Sequence, residues 1–261
     1  FPQRPLPLLT FYLNYLMTDM APSYFRLLNI FILACTSLIL AFLIEFVLSL
    51  RYPHTFNIRI ISVLTACIFL VHPLQSYLTL YIWQRSALMA CFFYFSSLYV
   101  YFSTRSGEIR NEFSGYILCL CMFILALLSK ENAITLPITL LLADIAFFKE
   151  PMNKIIKRGS VYILVTFLCV ALLSTVERAH GSTNFSPGII NTISQYYKES
   201  GLTYYEVILT QSRVLFSYMK AIFLPFPSTI QLINPQMISR SLCDPPTTLT
   251  AVAGAGTLVL T

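Results

Sequence analysis

Between residues 27 and 176 the chain is a succession of apolar runs joined by short polar segments, and this alternation restricts the fold more than any other feature. The first run, Leu27–Leu50, has 24 residues and one charge, Glu45 near its far end. That exceeds the ~20 residues a helix needs to cross ~30 Å of hydrocarbon. Ile60–Val71, Ser86–Phe102, Gly115–Leu128, Ala133–Phe148 and Ser160–Val176 follow. Several are short and must borrow flanking residues to span. Backbone groups in hydrocarbon have to be paired within their own segment, so each run reads as helix. Composition agrees: 57% of residues are hydrophobic and 11% charged, against ~25% charged in soluble domains. An all-α, polytopic membrane helical bundle is expected.

The expected organisation has four parts. Residues 1–26 form an outer-face segment in which Pro2, Pro5, Pro7 and Pro22 prevent one continuous helix. Residues 27–176 hold six transmembrane or partly embedded helices, and 177–212 form a non-cytoplasmic loop. Residues 213–261 hold a membrane-embedded helix and the start of a further span. Phe1 is no initiator and the apolar run Thr247–Thr261 stops after 15 residues, so the chain reads as a fragment lacking the start and end of its membrane domain.

Orientation follows from Lys/Arg density in the joints. With 1–26 outside, the inner segments 51–59, 103–114 and 149–159 carry eight Lys/Arg in 32 residues, and the outer ones carry six in 80. His72, Arg85, Lys130 and the 177–212 loop then share the non-cytoplasmic face.

Charge at that face has two readings. Lys130-Glu131 sits between two apolar runs, where an ionisable pair marks a functional site by default. The plainer reading is a polar turn, with Asn132 capping the next helix and Lys130 reaching for headgroups. Arg85 directly precedes an apolar run, so its guanidinium either snorkels outward or faces a wet pocket, where its fork suits a phosphate. Tyr77, Tyr81 and Trp83 fit an interfacial aromatic belt. From Tyr204 to Phe223, Glu206, Thr210, Arg213, Ser217 and Lys220 recur at helical spacing on one stripe. That helix either lies flat in the interface or dips in with its stripe against an aqueous cavity, where Arg213 with Arg85 or Lys130 would cradle a phosphate arriving on a lipid. Glu45 reads as a buried, hydrogen-bonded group, Asp144 as an anchor, and Asp19 and Glu131 as the outward carboxylates.

Six of the seven Cys lie inside apolar runs, so neither a disulfide framework nor a zinc spacing is present. No metal ligand set and no cofactor is evident, although a divalent metal stays open. The formal charge of +6 is spread over the loops without basic tracts interleaved by aromatics, which argues against nucleic-acid binding.

An ordered set of short motifs then carries a resemblance. Arg4-Pro5-Leu6, Leu9-Thr10-Phe11, Asn14-Tyr15, Leu28-Asn29, His72-Pro73-Leu74-Gln75, Gln84-Arg85, Leu128-Ser129-Lys130-Glu131-Asn132 through Pro137, and Leu209-Thr210-Gln211-Ser212-Arg213 occur in sequence from Arg4 to about Pro227. Together they resemble the membrane half of GT-C-type glycosyltransferases. The nearest subgroup is the bacterial membrane proteins with tetratricopeptide repeats, related to the transmembrane O-mannosyltransferases. The resemblance implies an integral protein, of the bacterial inner membrane for that subgroup. It would move a sugar from a polyprenyl-phosphate donor to an acceptor protein or lipid outside the cytoplasm.

It implies substrate-binding roles for Arg4, His72, Gln84, Arg85, Lys130, Gln211, Arg213 and Lys220. Glu131 stands as substitute catalytic carboxylate, the main acidic motif being expected ahead of Phe1. The alternatives are a non-catalytic membrane anchor or assembly scaffold, and a transporter lined by Glu45.

Overall fold

The computed structural model describes residues 4–53, 57–148, 151–179, 201, 203–225 and 238–241. The run Thr247–Thr261 and most of the 177–212 loop lie outside the described residues. Among those described, all regular structure is helical. Four stretches are long and apolar enough to cross a membrane: Pro22–Arg51, Ile82–Arg105, Glu112–Ser129 and Glu131–Phe148. Ile58–Val71 with Leu74–Leu80 makes a fifth if that bent pair counts as one. The chain divides into two compact units, 1–180 and 181–261.

In the first unit, α1 (Pro5–Thr18) forms although it contains Pro5 and Pro7. Both lie in the first turn, where a missing N–H removes no intrahelical bond. The chain then turns through Asp19, whose φ of 53° is in the left-handed region that Asp tolerates better than most residues. Pro22 opens α2 (Pro22–Arg51), a 30-residue helix starting five residues before its apolar run. Glu45 on α2 is half-buried and pairs with Arg59 at 3.3 Å, so it is an ion-paired group near the surface rather than a buried one.

Next come α3 (Ile58–Val71) and α4 (Leu74–Leu80). They meet at 60° because Pro73 keeps His72 extended, at ψ 131°. A 3₁₀ turn, Ile82–Gln84, leads into α5 (Arg85–Arg105).

α5 is the central helix, with α2 and α6 (Glu112–Ser129) packed against it. Its buried hydroxyls bond back to carbonyls one turn earlier, as with Ser96 to Phe92 O and Thr104 to Val100 O, both 2.7 Å. Ser97 instead crosses to Cys119 O at 2.9 Å. Gly115 lets α6 approach closely, because a Cβ there would run into the Thr104 side chain. The core under these helices is built from Tyr101, Phe102, Phe123, Leu136, Leu140 and Tyr162 among others. Phe31, Leu38 and Ile68 are each more than half exposed, a pattern suited to lipid.

After α6 a 3₁₀ turn (Glu131–Thr135), α7 (Leu136–Ala143) and a π-helical turn (Asp144–Phe148) share one run, and α8 (Met152–Ala179) follows. Asp144 is almost fully buried. It accepts hydrogen bonds from Tyr101 Oη at 2.7 Å, Arg105 Nε at 3.2 Å and Arg158 Nη1 at 3.3 Å. The expected anchor is thus a buried ion cluster tying α5 to α8.

In the second unit α9 (Tyr204–Phe223) begins with a capping box. Glu206 N–H donates to Thr203 Oγ1 while the Glu206 carboxylate accepts from Thr203 N–H at 2.8 Å and Oγ1–H at 2.7 Å.

Asp144→Asn leaves two guanidinium groups around a neutral amide and should cost about 3 kcal/mol or more, read as a lower melting temperature in detergent. The hydrogen bonds from Thr203, the backbone N–H first and the hydroxyl second, hold the Glu206 carboxyl below its usual range. A depressed carboxylate stabilises the folded form above the unfolded value of ~4.3 and loses that contribution as pH falls through the folded value. Protection of the amides at the start of α9, taken relative to an unstructured chain at the same pH, should therefore fall below about pH 4. Protection that stays constant with pH there would contradict the cap.

Candidate functional site

α6 runs antiparallel to α5, with Ser97 on Cys119 and Thr104 beside Gly115, and α7 returns alongside α5, so the start of α5, the end of α6 and the Glu131–Thr135 turn fall at one end of the first unit. α1 binds to that end. Arg4, just before α1, is the clearest link: its Nη2 lies 2.7 Å from Glu131 Oε1 and its Nε 3.2 Å from Oε2, a two-pronged ion pair. Arg4 Nη1 also reaches Ser86 Oγ at 3.4 Å.

Beneath this rim is a cavity of about 250 Å³ lined by Ala87, Cys91, Tyr94, Lys130, Asn132 and Ala133 among others. Lys130 is half-buried on its wall, and no hydrogen bond or ion pair to its ammonium occurs among the described residues. Asn132 is exposed and does not cap α7, since no side chain caps either the 3₁₀ turn or that helix. Thr135 and Thr139 instead share hydrogen bonds with Tyr94 Oη across to α5.

Arg85 neither snorkels nor faces a wet pocket: it is fully buried. Its Nε donates to Asn29 Oδ1 at 2.9 Å, and its Nη2 donates to Asn14 Oδ1 at 2.9 Å and Phe25 O at 3.0 Å. Nη1 lies 3.4 Å from Thr10 Oγ1, and the guanidinium rests over Phe11 at 4.3 Å and Phe25 at 5.5 Å. A cation on the first residue of a helix opposes the macrodipole. Here the opposition is offset by acceptors from α1 and α2, which makes Arg85 the tie between three helices. Phe11 stacks on Trp83 at 5.7 Å, so Trp83 packs under α1 as well as being partly exposed.

Other expected residues occupy the same connection without meeting the cavity. His72 Nδ1 accepts from Leu74 N–H at 3.2 Å and opens α4. Gln84 Nε2 donates to Tyr77 Oη at 3.3 Å. Gln75, from the His-Pro-Leu-Gln motif, is buried, and its Oε1 has no partner among the described residues. In the second unit, Arg213 Nη1 donates to Ser239 Oγ at 3.2 Å, and Ser239 N–H donates to Thr210 Oγ1 at 3.0 Å. Gln211 and Lys220 are exposed on the same helix.

Cys91, Tyr94 and Ser86 were not picked out from sequence; nothing in an apolar run distinguishes a cavity wall from a core. Asn14 and Asn29 did carry a signal, as amides among apolar residues. Among the described residues no three His, Cys, Asp or Glu side chains cluster as metal ligands.

These features define a membrane-embedded helical bundle whose α1 end carries cations and a small cavity. Its relatives are of one kind. The chain is 28% identical over 158 residues to human protein O-mannosyl-transferase TMTC1, covering 58% of this chain and 17% of that protein. It is 32% identical over 152 residues to Drosophila melanogaster protein O-mannosyl-transferase Tmtc1, covering 58% and 16%. With mouse protein O-mannosyl-transferase TMTC3 it shares 27% over 132 residues, covering 51% and 13%. The matches thus span less than a fifth of the length of these relatives. They are animal proteins, and the bacterial subgroup and inner-membrane location expected from the motifs gain no support from them. No protein-family profile and no solved structure matches the chain.

Arg85→Met strips the cation from two buried amide oxygens and a carbonyl, a loss of roughly 2–4 kcal/mol. Arg85→Lys should recover only part of it, since an ammonium cannot reach the same acceptors as a fork. Thermal unfolding of both variants in detergent checks this; a wild-type melting temperature for Arg85→Met would refute the tie.

Proposed function

We propose that the chain is the donor-holding part of a membrane glycosyltransferase. In this reading a sugar, mannose by analogy with the relatives' names, leaves a polyprenyl-phosphate carrier. It joins a hydroxyl of an acceptor protein or lipid on the non-cytoplasmic side. Two facts support it together: similarity to protein O-mannosyl-transferases over more than half the chain, and Lys130 standing on a cavity wall at the α1 end.

The chemistry assigns work to each group. As the bond between the sugar's C1 and the donor phosphate oxygen breaks, the electron pair stays with the phosphate, and a fixed cation nearby lowers the barrier. C1 gains the acceptor oxygen, whose proton passes to a carboxylate base. Within the first unit Lys130 is the phosphate ligand; within the second, taken by itself, Arg213 with Ser239 and Thr210 is the cation suited to an anion. Gln211 and Lys220 are exposed on the Arg213 helix and give that unit further polar groups, whereas His72 and Gln84 order the connection before α5 rather than touch the donor at Lys130.

Arg85 becomes a positioning residue, because its donors are committed within the bundle. Arg4 and Glu131 largely cancel each other. Glu131, with both oxygens on Arg4, is a poor base, so that role falls to the acidic motif the family resemblance sets ahead of Arg4. The Glu131 tie is also what favours a non-catalytic scaffold as the second reading.

Full-length protein assayed with polyprenyl-phosphate mannose and acceptor peptides decides between them. Lys130→Ala and Arg213→Ala should each lower transfer about 10- to 100-fold without loss of membrane insertion. Unchanged rates in both variants would end this assignment, and a full-length protein inert towards every polyprenyl-phosphate sugar would leave the scaffold.

A further inference from the structure

α1 is amphipathic the wrong way round for a helix in water. Its inward stripe is the polar one: Thr10, Asn14 and Thr18 recur every four residues against the bundle. Asn14 accepts from Arg85 and donates to Thr18 Oγ1 at 3.0 Å, and the Thr10 hydroxyl donates to Pro7 O at 2.7 Å. Its outward stripe is the apolar one. Leu9, Tyr12, Leu13, Leu16 and Met17 fall at i, i+3, i+4, i+7 and i+8 and are between 49% and 84% exposed. No charge interrupts the helix from Pro5 to Thr18. A surface helix bathed in water carries the reverse pattern.

α1 lies across the end of the bundle rather than along it. Arg4 meets Glu131 after α6, Thr10 and Asn14 meet Arg85 at the start of α5, and Thr18 stops four residues short of Pro22, which opens α2. Both of its ends are thus at one face of the unit, and its 14 residues, about 21 Å, are too few to cross ~30 Å of hydrocarbon. Thr10 Oγ1 lies 3.8 Å from the sulfur of Met89, which is one turn, or about 6 Å, inside α5. Helices lying in a membrane surface bury their apolar side to a similar depth, ~5–10 Å.

The outward stripe is continuous with a surface that suits lipid. On α2, Tyr24, Leu27, Phe31, Leu38 and Phe42 are more than half exposed and share one side of the helix over about five turns. A hollow of about 320 Å³ between α1 and α2, lined by Leu13, Met17, Tyr24 and Leu28 among others, connects the two stripes without a charged residue. Tyr12 and Tyr24, exposed along this surface, are side chains of the kind that sits at head-group level.

We propose that α1 lies in the plane of the bilayer surface, its Leu9, Leu13 and Leu16 sunk among the acyl chains of neighbouring phospholipids and its Thr10, Asn14 and Thr18 turned to Arg85. The partner it fits is the hydrocarbon just below the head groups. A stripe without charge makes no demand on the head group itself, and Arg4 and Asp19 place charge only at the two ends. This placement is independent of the transfer reaction proposed above.

The test uses the full chain in nanodiscs of palmitoyl-oleoyl phosphatidylcholine. One set contains a phosphatidylcholine with a diazirine near the ester end of its acyl chain, and a second set has the diazirine at the methyl end. Residues 9–17 should be labelled about tenfold more by the first than by the second. Hydroxyl radicals generated in the bulk water should oxidise Met17 about tenfold more slowly than in the urea-unfolded chain.

Oxidation as fast as in the unfolded chain, with no lipid label, would put the stripe in water and overturn the proposal. So would protection from both reagents, which means that a second copy or another part of the protein covers the stripe. Labelling mainly from the methyl end would overturn it too, because α1 would then run deep rather than flat.

Discussion

A guanidinium withdrawn from water is tolerable only when its donors are met, and the α1 end of this protein is arranged around meeting those of Arg85. Two amide oxygens, a carbonyl and a hydroxyl come from α1 and α2, and two aromatic faces pack on the cation. Remove the cation and α1 keeps weaker links: Phe11 stacked on Trp83 and Phe25, Thr10 against the Met89 sulfur, and Arg4 on Glu131 and Ser86. The seat of α1 against α2 and α5, and with it the position of Arg4 over Glu131, depends on one buried side chain. This ordering explains why a cation is found at the unfavourable end of a helix.

The other end solves the same problem with opposite bookkeeping. There a carboxylate is buried, and two arginines and a tyrosine satisfy it. Both clusters draw on α5, the helix that also carries the most buried hydroxyls among the described residues; between its ends Ser96 bonds within the helix and Ser97 crosses to α6. Burying ion clusters is a weak source of stability and a better source of register. With apolar helices in lipid there is little hydrophobic force to choose among packings. The two clusters fix which helices meet and at what depth.

How much of this could be read beforehand depended on distance along the chain. Helices announced by local pattern were legible: α9 covers the residues over which the polar stripe was traced, and Pro73 breaks the chain at His72. The helical, membrane-type bundle follows from the apolar runs alone. α1 was not legible as a helix because Pro5 and Pro7 look like breakers, yet in a first turn proline costs nothing. The fate of Arg85 was hidden for a different reason, since its amide partners lie 56 and 71 residues away. Asn132 misled as a cap because a 3₁₀ turn, which uses closer backbone bonds, carries the chain into α7. Only a fold puts Lys130 beside Cys91 and Tyr94.

The unequal lengths of neighbouring helices have a mechanical consequence. α2, with 30 residues, is about 45 Å long, while α3 beside it has 14 and is about 21 Å before the chain turns away by 60°. No flat slab of hydrocarbon ~30 Å thick suits both. Lipid flanking α3 has to pinch and α2 has to tilt, each at a fraction of a kcal/mol per Å. Where the bent α3–α4 pair faces lipid, head groups are drawn inward, and that flank is the side of the bundle with the least hydrocarbon between the two surfaces.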